Sequence, residues 1–589
     1  MTDTSTRFQR SEERDGMIID WHVPITMDDG NVLRCDVFRP LDGGRYPVVL
    51  TYGPYAKGAP FQEVYPVQWE ALAEEFPEVA RNSSTMYQNW EVVDPELWVP
   101  DGYICVRVDS RGAGWSEGFM DVLSPRETKD LYDCIEWSAR QAWSTGRIAL
   151  CGISYYAING WFVAGLQPPH LAAIVGWEGM ADYYRDAAYH GGIPCAFAEM
   201  WFAAEVQPMQ YGMGTRSVRH PVTGEHAAGP VTLSDPALAG NRSEPADLFA
   251  ASPLDGPFYR KRSAQWDLVE VPFLSAANWG GQGLHSRGNF EAFTQARSQQ
   301  KWLEVHGLEH WTHFYSDYGV ALQKRFLGHF LKGEQNGWDD EPPVLLQVRH
   351  PDGSTVERRE HEWPLARTRW TRLHLDASER TLSFNAPDSS AADSFDAAAG
   401  TLTFWSAPLA EETEITGPIA AKLFISSTTS DADVFTTVRV FDPAGDEVVL
   451  RGALDPNTPF AQGWLRASHR AIDKDNSLPW RPYHPHDRID PLEPGEVYEL
   501  DVEIWPSCLV IPAGYRIAVD ISSRDYEYAG DHGPFAEKLP YPTNGCGPFT
   551  HPFDARPDEV RTAHVTVHTG QETGSYLLLP IIPADSCQE

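Results

Sequence analysis

Apolar residues run almost without interruption through four short stretches of the first third: YPVVLTYG (46–53), YICVRVDSRG (103–112), RIALCGIS (147–154) and LAAIVGWEG (171–179). Each contains a glycine at or near its turn, and helix-like stretches separate them. Near-continuous apolar strands alternating with helices predict a parallel sheet covered on both faces. The pattern lapses between about 181 and 262, where YYRDAAYHGG, FAEMWFAAEV and a Pro/Gly/Ser/Asp-rich stretch read as helices and loops. VPFLSAANWGG (271–281) and KWLEVHG (301–307) then resume it, so the middle segment reads as a cap inserted over the sheet. From about 346 strands recur at short spacing, in KLFISSTT, VFTTVRVFDPAGDEVVLRG, EVYELDVEIW, YRIAVDISS and AHVTVHTG, which predicts an all-β sandwich. The expected division is therefore an α/β domain in two pieces, 1–180 and 263–345, a helical cap over 181–262, and a β-sandwich over 346–589. SFNAPDSSAADSFDAAAGT (383–401) reads as a surface loop, and no internal repeat is found.

A chain of 589 residues is long enough for two or three cores, and its 21 Trp, 23 Tyr and 26 Phe exclude a disordered chain. The 47 Lys and Arg stand against 83 Asp and Glu, a net charge of −36, which argues against a nucleic acid or an anionic membrane as partner. Cysteines 35, 105, 134, 151, 195, 508, 546 and 587 form no CxxC pair, as reduced thiols in a cytoplasmic protein would not. The opening MTDTSTRFQRSEERDGM has no apolar core of a signal peptide, and no run of about 18 apolar residues follows, so the expected address is cytoplasmic. Homo-oligomerisation is left open.

Two serines compete as nucleophile. Gly114-Trp115-Ser116-Glu117-Gly118 spells GxSxG, but Ser116 lies well past its strand in a glycine-rich loop. A nucleophile elbow needs a strand ending just before the serine and a helix starting just after it. Ser154, in Gly152-Ile153-Ser154-Tyr155-Tyr156-Ala157, has that context.

Tyr52-Gly53-Pro54-Tyr55-Ala56-Lys57, Asp109-Ser110-Arg111-Gly112 with Ser116-Glu117-Gly118, Ile135-Glu136-Trp137 with Gln141-Ala142-Trp143, Gly152-Ile153-Ser154-Tyr155 and Gly463-Trp464-Leu465-Arg466-Ala467-Ser468-His469-Arg470 together resemble the cocaine esterase/X-Pro dipeptidyl-peptidase family of α/β-hydrolases. The likeness covers nearly the whole chain. It implies an α/β-hydrolase domain, a helical cap and a C-terminal jelly roll. It also implies hydrolysis of a carboxylic ester or amide through an acyl-enzyme intermediate, with no cofactor. The family motif GxSYxG is met except that Ala157 stands where glycine is usual.

A serine needs a positioned base, and the base a carboxylate. Aligning KWLEVHGLEHWTHFY with the family's last strand and turn puts the base at His310, with His306 and His313 as rivals. The family's acid position falls near Gly281, where no carboxylate occurs from Asn278 to His285. The expected substitute is Glu178, after the strand that follows the nucleophile helix, with Asp182 second. Oxyanion donors are expected from the Tyr155 amide and, by resemblance, the Tyr55 hydroxyl. Asp109 and Arg111 are expected to fix their loop.

Trp201, Phe202 and Tyr211 of the cap are candidates for an apolar acyl site, and Glu199 and Glu205 for a substrate amine. Relatives cleave cocaine-like aryl esters, α-amino acid esters, β-lactam side-chain amides and X-Pro peptides, and the residues do not choose among them. Two readings from other classes stay open. His306-Gly307-Leu308-Glu309-His310 spells HxxEH, a zinc-protease motif that requires a helix where KWLEV reads as a strand. The aromatic-rich sandwich would suit a binding protein with a degenerate hydrolase site.

Overall fold

The structure, a computed structural model, describes residues 8–584. Thirteen strands lead up to and through the site-bearing part: β1 (Arg10–Arg14), β2 (Met17–Thr26), β3 (Val32–Pro40), β4 (Tyr46–Gly53), β5 (Ile104–Asp109), β6 (Ser144–Ile153), β7 (Leu171–Trp177), β8 (Tyr189–His190), β9 (Ile193–Pro194), β10 (Phe273–Asn278), β11 (Lys301–His306), β12 (Val344–Arg349) and β13 (Thr355–Glu360). All but β8 and β9 form one sheet in the order β1-β2-β3-β5-β4-β6-β7-β10-β11-β12-β13. The stretch from β5 to β12 is parallel. Every residue of β5 and β10 is buried, which is why these strands read as unbroken apolar runs. Helices cover the faces. Pro125–Ala139 starts with Pro at its first position and a Ser124 side chain that accepts from the Glu127 amide, a capping arrangement written in Ser124-Pro125-Arg126-Glu127.

The α/β sheet reaches further than its pattern implied. β12 pairs with β11 and β13 with β12, so the expected break at 345/346 falls inside the sheet, and the second sheet begins at Arg369. VLLQVR is an apolar run of parallel-sheet type and belongs with the strand it covers.

The second sheet has eleven strands and closes on itself, because the long strand Thr413–Ser427 pairs with Tyr498–Ile511, His564–Thr569 and Tyr576–Ile582. The strand bends at a bulge between Gly417 and Ile419. The stretch 383–401, expected as a loop, contains an edge strand, Ala391–Asp396, paired with His564–Thr569. Its alternation buries Phe395, a period-2 signal hidden by small residues.

The segment between β7 and β10 is the cap. It is less helical than expected: a π-turn over Tyr183–Ala188, the β8–β9 hairpin, and short helices at Phe197–Trp201, Asp235–Ala239, Pro245–Ala250 and Pro257–Arg260. Residues 54–102, between β4 and β5, add four more short helices over the same sheet edge. Among the described residues no helix is long and apolar enough to cross a membrane. The seven described cysteines are buried and unpaired; Cys587 lies outside the described residues.

Candidate active site

The carboxyl ends of the parallel strands present Tyr55 after β4, Ser154 after β6, Glu178 after β7, His285 in the loop after β10 and His310 after β11. Ligands of open α/β sheets bind along that edge. Ser154 sits between β6 and the helix Tyr155–Ala164 with φ 52° and ψ −113°, the strained turn that lifts a nucleophile clear of the sheet. Gly152 makes the turn feasible: a Cβ there would lie 2.5 Å from the Tyr156 Cβ and 2.9 Å from the Glu91 carbonyl oxygen. Ala157 is small for a related reason, since its methyl faces Gly179, where an added Cβ would come within 2.7 Å. Glu91 (φ 63°) and Glu178 (φ 45°) are also left-handed. Backbone strain thus gathers at one place.

Ser154 Oγ lies 3.0 Å from His285 Nε2. His285 is buried, and burial together with the neighbouring His310 charge holds it well below the ordinary histidine range, so the ring is neutral. His310 stacks on it, ring centroids 4.9 Å apart and 15° from parallel. Both nitrogens of His310 are engaged, Nδ1 with Glu178 Oε2 at 2.9 Å and Nε2 with Glu91 Oε1 at 2.8 Å. These two carboxylates outweigh burial and hold the His310 imidazole protonated, up to about 10. Glu178 also receives His306 Nε2 at 3.2 Å and Asn278 Nδ2 at 3.1 Å, and its carboxyl is held below the usual range by the two cationic rings. His306 passes its Nδ1 to Glu304 at 2.7 Å and is pushed up to about 9. Glu91 is fully desolvated, and burial pushes it up to about 7 against the pull of His310.

The expected contact of Ser154 with His310 is therefore replaced by one with His285. The reason is that Glu91, on the 54–102 segment, occupies the His310 nitrogen that would have faced the serine. The expected pairing of His310 with Glu178 is present. Asp182 is elsewhere: it accepts from the Tyr184 and Arg185 amides and pairs with the Arg185 guanidinium at 2.7 Å, capping the π-turn. His313 packs by Phe76 and Tyr318, and burial holds it down at about 3. The HxxEH motif does not form a helical metal face, since His306 ends β11 and a carboxylate, Glu178, bridges the two rings.

Tyr55 accepts a hydrogen bond from Trp201 Nε1 at 2.9 Å, which leaves its own proton to donate, and burial keeps the phenol neutral. Tyr55, Ser154, Tyr155 and His285 line one pocket with Leu123, Ile158, Met180, Phe197 and Trp201, a small cavity of about 30 Å³. The Tyr155 hydroxyl is held 2.5 Å from Glu127, while its ring packs against Tyr55 and stacks on Trp201. Phe202 is buried behind Trp201 and does not line the pocket. Tyr211 reaches Glu117 at 2.9 Å on the surface, because the short cap helices do not carry it back over the sheet. Glu199 is exposed; Glu205 is half-buried and pushed up to about 8. Ser116 is fully buried, receiving the Arg34 amide and donating to the Asp109 carbonyl. Asp109 accepts from the Lys57 and Trp115 amides, and Arg111 pairs with Asp130, contacts that fix the loop.

Residues 29–315 match the model of the X-Pro dipeptidyl-peptidase (S15 family), and residues 336–578 match that of the X-Pro dipeptidyl-peptidase C-terminal non-catalytic domain. A CocE/NonD family hydrolase of Staphylococcus aureus superposes with a TM-score of 0.82 at 30% identity, covering 96% of this chain and 94% of that one. The chain belongs to the CocE/NonD hydrolase family. The cocaine esterase of a Rhodococcus species is 25% identical over 634 residues, 95% of this chain and 98% of that protein. An α-amino acid ester hydrolase shares the fold, with a TM-score of 0.66 at 17% identity over 99% of both chains. This CocE/NonD hydrolase is a serine hydrolase, with an α/β-hydrolase fold and a C-terminal β-sandwich.

Two site residues escaped the sequence. His285 stands in the loop where the family's carboxylate is expected, and an imidazole there answers to no acid motif. That loop, Trp279-Gly280-Gly281-Gln282-Gly283, is wedged under the C-terminal sandwich: a Cβ on Gly280 would stand 2.3 Å from the Gly452 Cα, and one on Gly283 2.9 Å from Phe549. Glu91 carries no motif, and only its place in the fold brings it to His310.

Proposed function

We propose that this hydrolase cleaves esters of compact, largely apolar carboxylic acids through an acyl-enzyme on Ser154. The Oγ–carbonyl carbon bond forms as the Oγ proton passes to His285 Nε2. Tyr55 and the Tyr155 amide hold the oxyanion, and the tetrahedral intermediate expels the leaving group, which takes the proton back from His285. Water then repeats the sequence and frees the acid. The protonated His310, held between Glu178 and Glu91, positions the His285 ring. The observation that carries this reading is the 3.0 Å approach of Ser154 Oγ to a neutral imidazole. The apolar pocket supports the acyl class, as does the likeness to a cocaine esterase.

A second reading makes His310 the base. The Nδ1–Glu178 bond favours it, since a triad carboxylate orients its histidine through that nitrogen, and it requires Glu91 to release Nε2. In either reading Ser154→Ala is expected to abolish p-nitrophenyl ester turnover with the fold intact, and Ser116→Ala to leave most of it. The reverse result overturns the site. Faster cleavage of Gly-Pro-p-nitroanilide than of phenyl esters would move the substrate class to X-Pro peptides. The buried, unpaired cysteines support a reducing, cytoplasmic address, and the self-closing sheet supports a jelly roll.

A further inference from the structure

A second cluster lies where the cap meets the sandwich, apart from the catalytic pocket. His190, Cys195 and His551 are buried, and their donor atoms all lie within 4.8 Å of one another. We propose that these three side chains bind a transition-metal ion of zinc type, which pins the β8–β9 hairpin of the cap to the C-terminal sandwich.

The remote nitrogens carry the argument. His190 Nδ1 and His551 Nε2 face each other at 2.8 Å. The other nitrogen of His551 lies 2.6 Å from Asp525 Oδ1, and that of His190 points at the Asp186 carbonyl, 3.4 Å away. Both outer partners are acceptors, so both outer nitrogens are best protonated. Two neutral rings with protons outward then turn two lone pairs towards each other, a gap that is bridged either by one more proton, which makes His551 an imidazolium beside Asp525, or by a metal ion. A metal ion accepts both lone pairs and lets each ring keep its outer bond, the carboxylate–histidine–metal pattern of second-shell support.

Two imidazoles and a thiolate suit zinc, with a fourth, exogenous ligand completing the tetrahedron. Tetrahedral zinc sets its donors roughly 3.3–3.6 Å apart. The two nitrogens, 2.8 Å apart, need to part by about half an ångström, and the sulfur, within 4.8 Å of both, to draw in by at most about 1.5 Å. Binding replaces the S–H bond of Cys195 by a sulfur–metal bond, the proton going to solvent. The backbone already presents the ligands: Arg466 donates to the Gly191 carbonyl at 2.8 Å, and the Ala196 amide, next to Cys195, donates to the Thr550 carbonyl, next to His551, at 2.9 Å. Trp464 stacks on His190 and Phe435 packs edge-on to His551, an apolar shell around the cluster. Phe197, two residues beyond Cys195, lines the catalytic pocket, so the ion would steady one wall of it.

The test uses the full chain, expressed with cobalt in the medium and, separately, stripped with a chelator and titrated with Co²⁺. One equivalent of cobalt with an intense sulfur-to-cobalt charge-transfer band is expected. Cys195→Ser should lose the band with the circular dichroism unchanged, and Asp525→Ala should keep it while weakening cobalt about 10–100-fold. The cluster Glu178, His285 and His310 contains no sulfur, so His285→Ala should leave the band intact. Absence of the band in the wild type under both regimes, or its survival in Cys195→Ser, overturns the proposal.

Discussion

Replacing Glu178 by Gln keeps the shape of the buried side chain and removes the charge that lies between His306 and His310. Holding the His310 imidazole protonated up to about 10 rather than the ordinary 6.5 means that its carboxylate partners favour the charged ring by about 5 kcal/mol net of the cost of burying it. Glu178 and Glu91 share that preference, and loss of one partner of a buried pair costs about 3 kcal/mol or more. The sign follows from the two shifts. His310 is raised, so its contribution is complete below about 6.5 and lost as pH climbs through about 10. Glu178 is lowered, so its contribution is present above about 4.5 and lost as pH falls below that. The variant is therefore expected to lag the wild type most between pH 5 and 7, by roughly 5 °C in the melting transition of the α/β domain, and to draw level towards pH 10. Differential scanning calorimetry across that range is the assay. Equal melting at pH 7, or a gap that widens towards pH 10, would show that the carboxylate and the imidazole are not paired as described.

Tyr55→Phe removes one oxyanion donor and the acceptor for Trp201 Nε1; kcat on p-nitrophenyl esters is expected to fall about 10²–10³-fold with KM little changed, and a loss under tenfold would remove Tyr55 from the chemistry. In the pH profile of kcat/KM, a base held low by burial stays deprotonated into acid, so the acid limb is expected well below 6.5. A limb near 10 would instead report His310 as the base.

The strand pattern made the sheet legible because parallel strands buried on both faces leave unbroken apolar runs, and Ser154 was legible because an elbow needs a strand before it and a helix after it. Glu178 could be reached by asking which loop borders the missing acid. His285 and Glu91 could not, for different reasons. His285 replaces a carboxylate in its loop by another kind of group, and Glu91 approaches His310 from 219 residues away in the chain. The boundary at 345 failed because β12 and β13 join the first sheet by hydrogen bonds, which leave no mark on composition. Tyr211 and Phe202 share the aromatic character of Trp201, and only the turns of the short cap helices decide that Trp201 alone of the three faces the pocket.

The claim beneath the chemistry is that the Ser154 proton leaves through His285. The rate of covalent labelling of Ser154 by a fluorophosphonate, read by mass spectrometry in the wild type, His285→Ala and His310→Ala, addresses it directly. The expected result is a loss on the order of 10³-fold or more in His285→Ala and a clearly smaller one in His310→Ala. Near-normal labelling in His285→Ala with the label abolished in His310→Ala would contradict it.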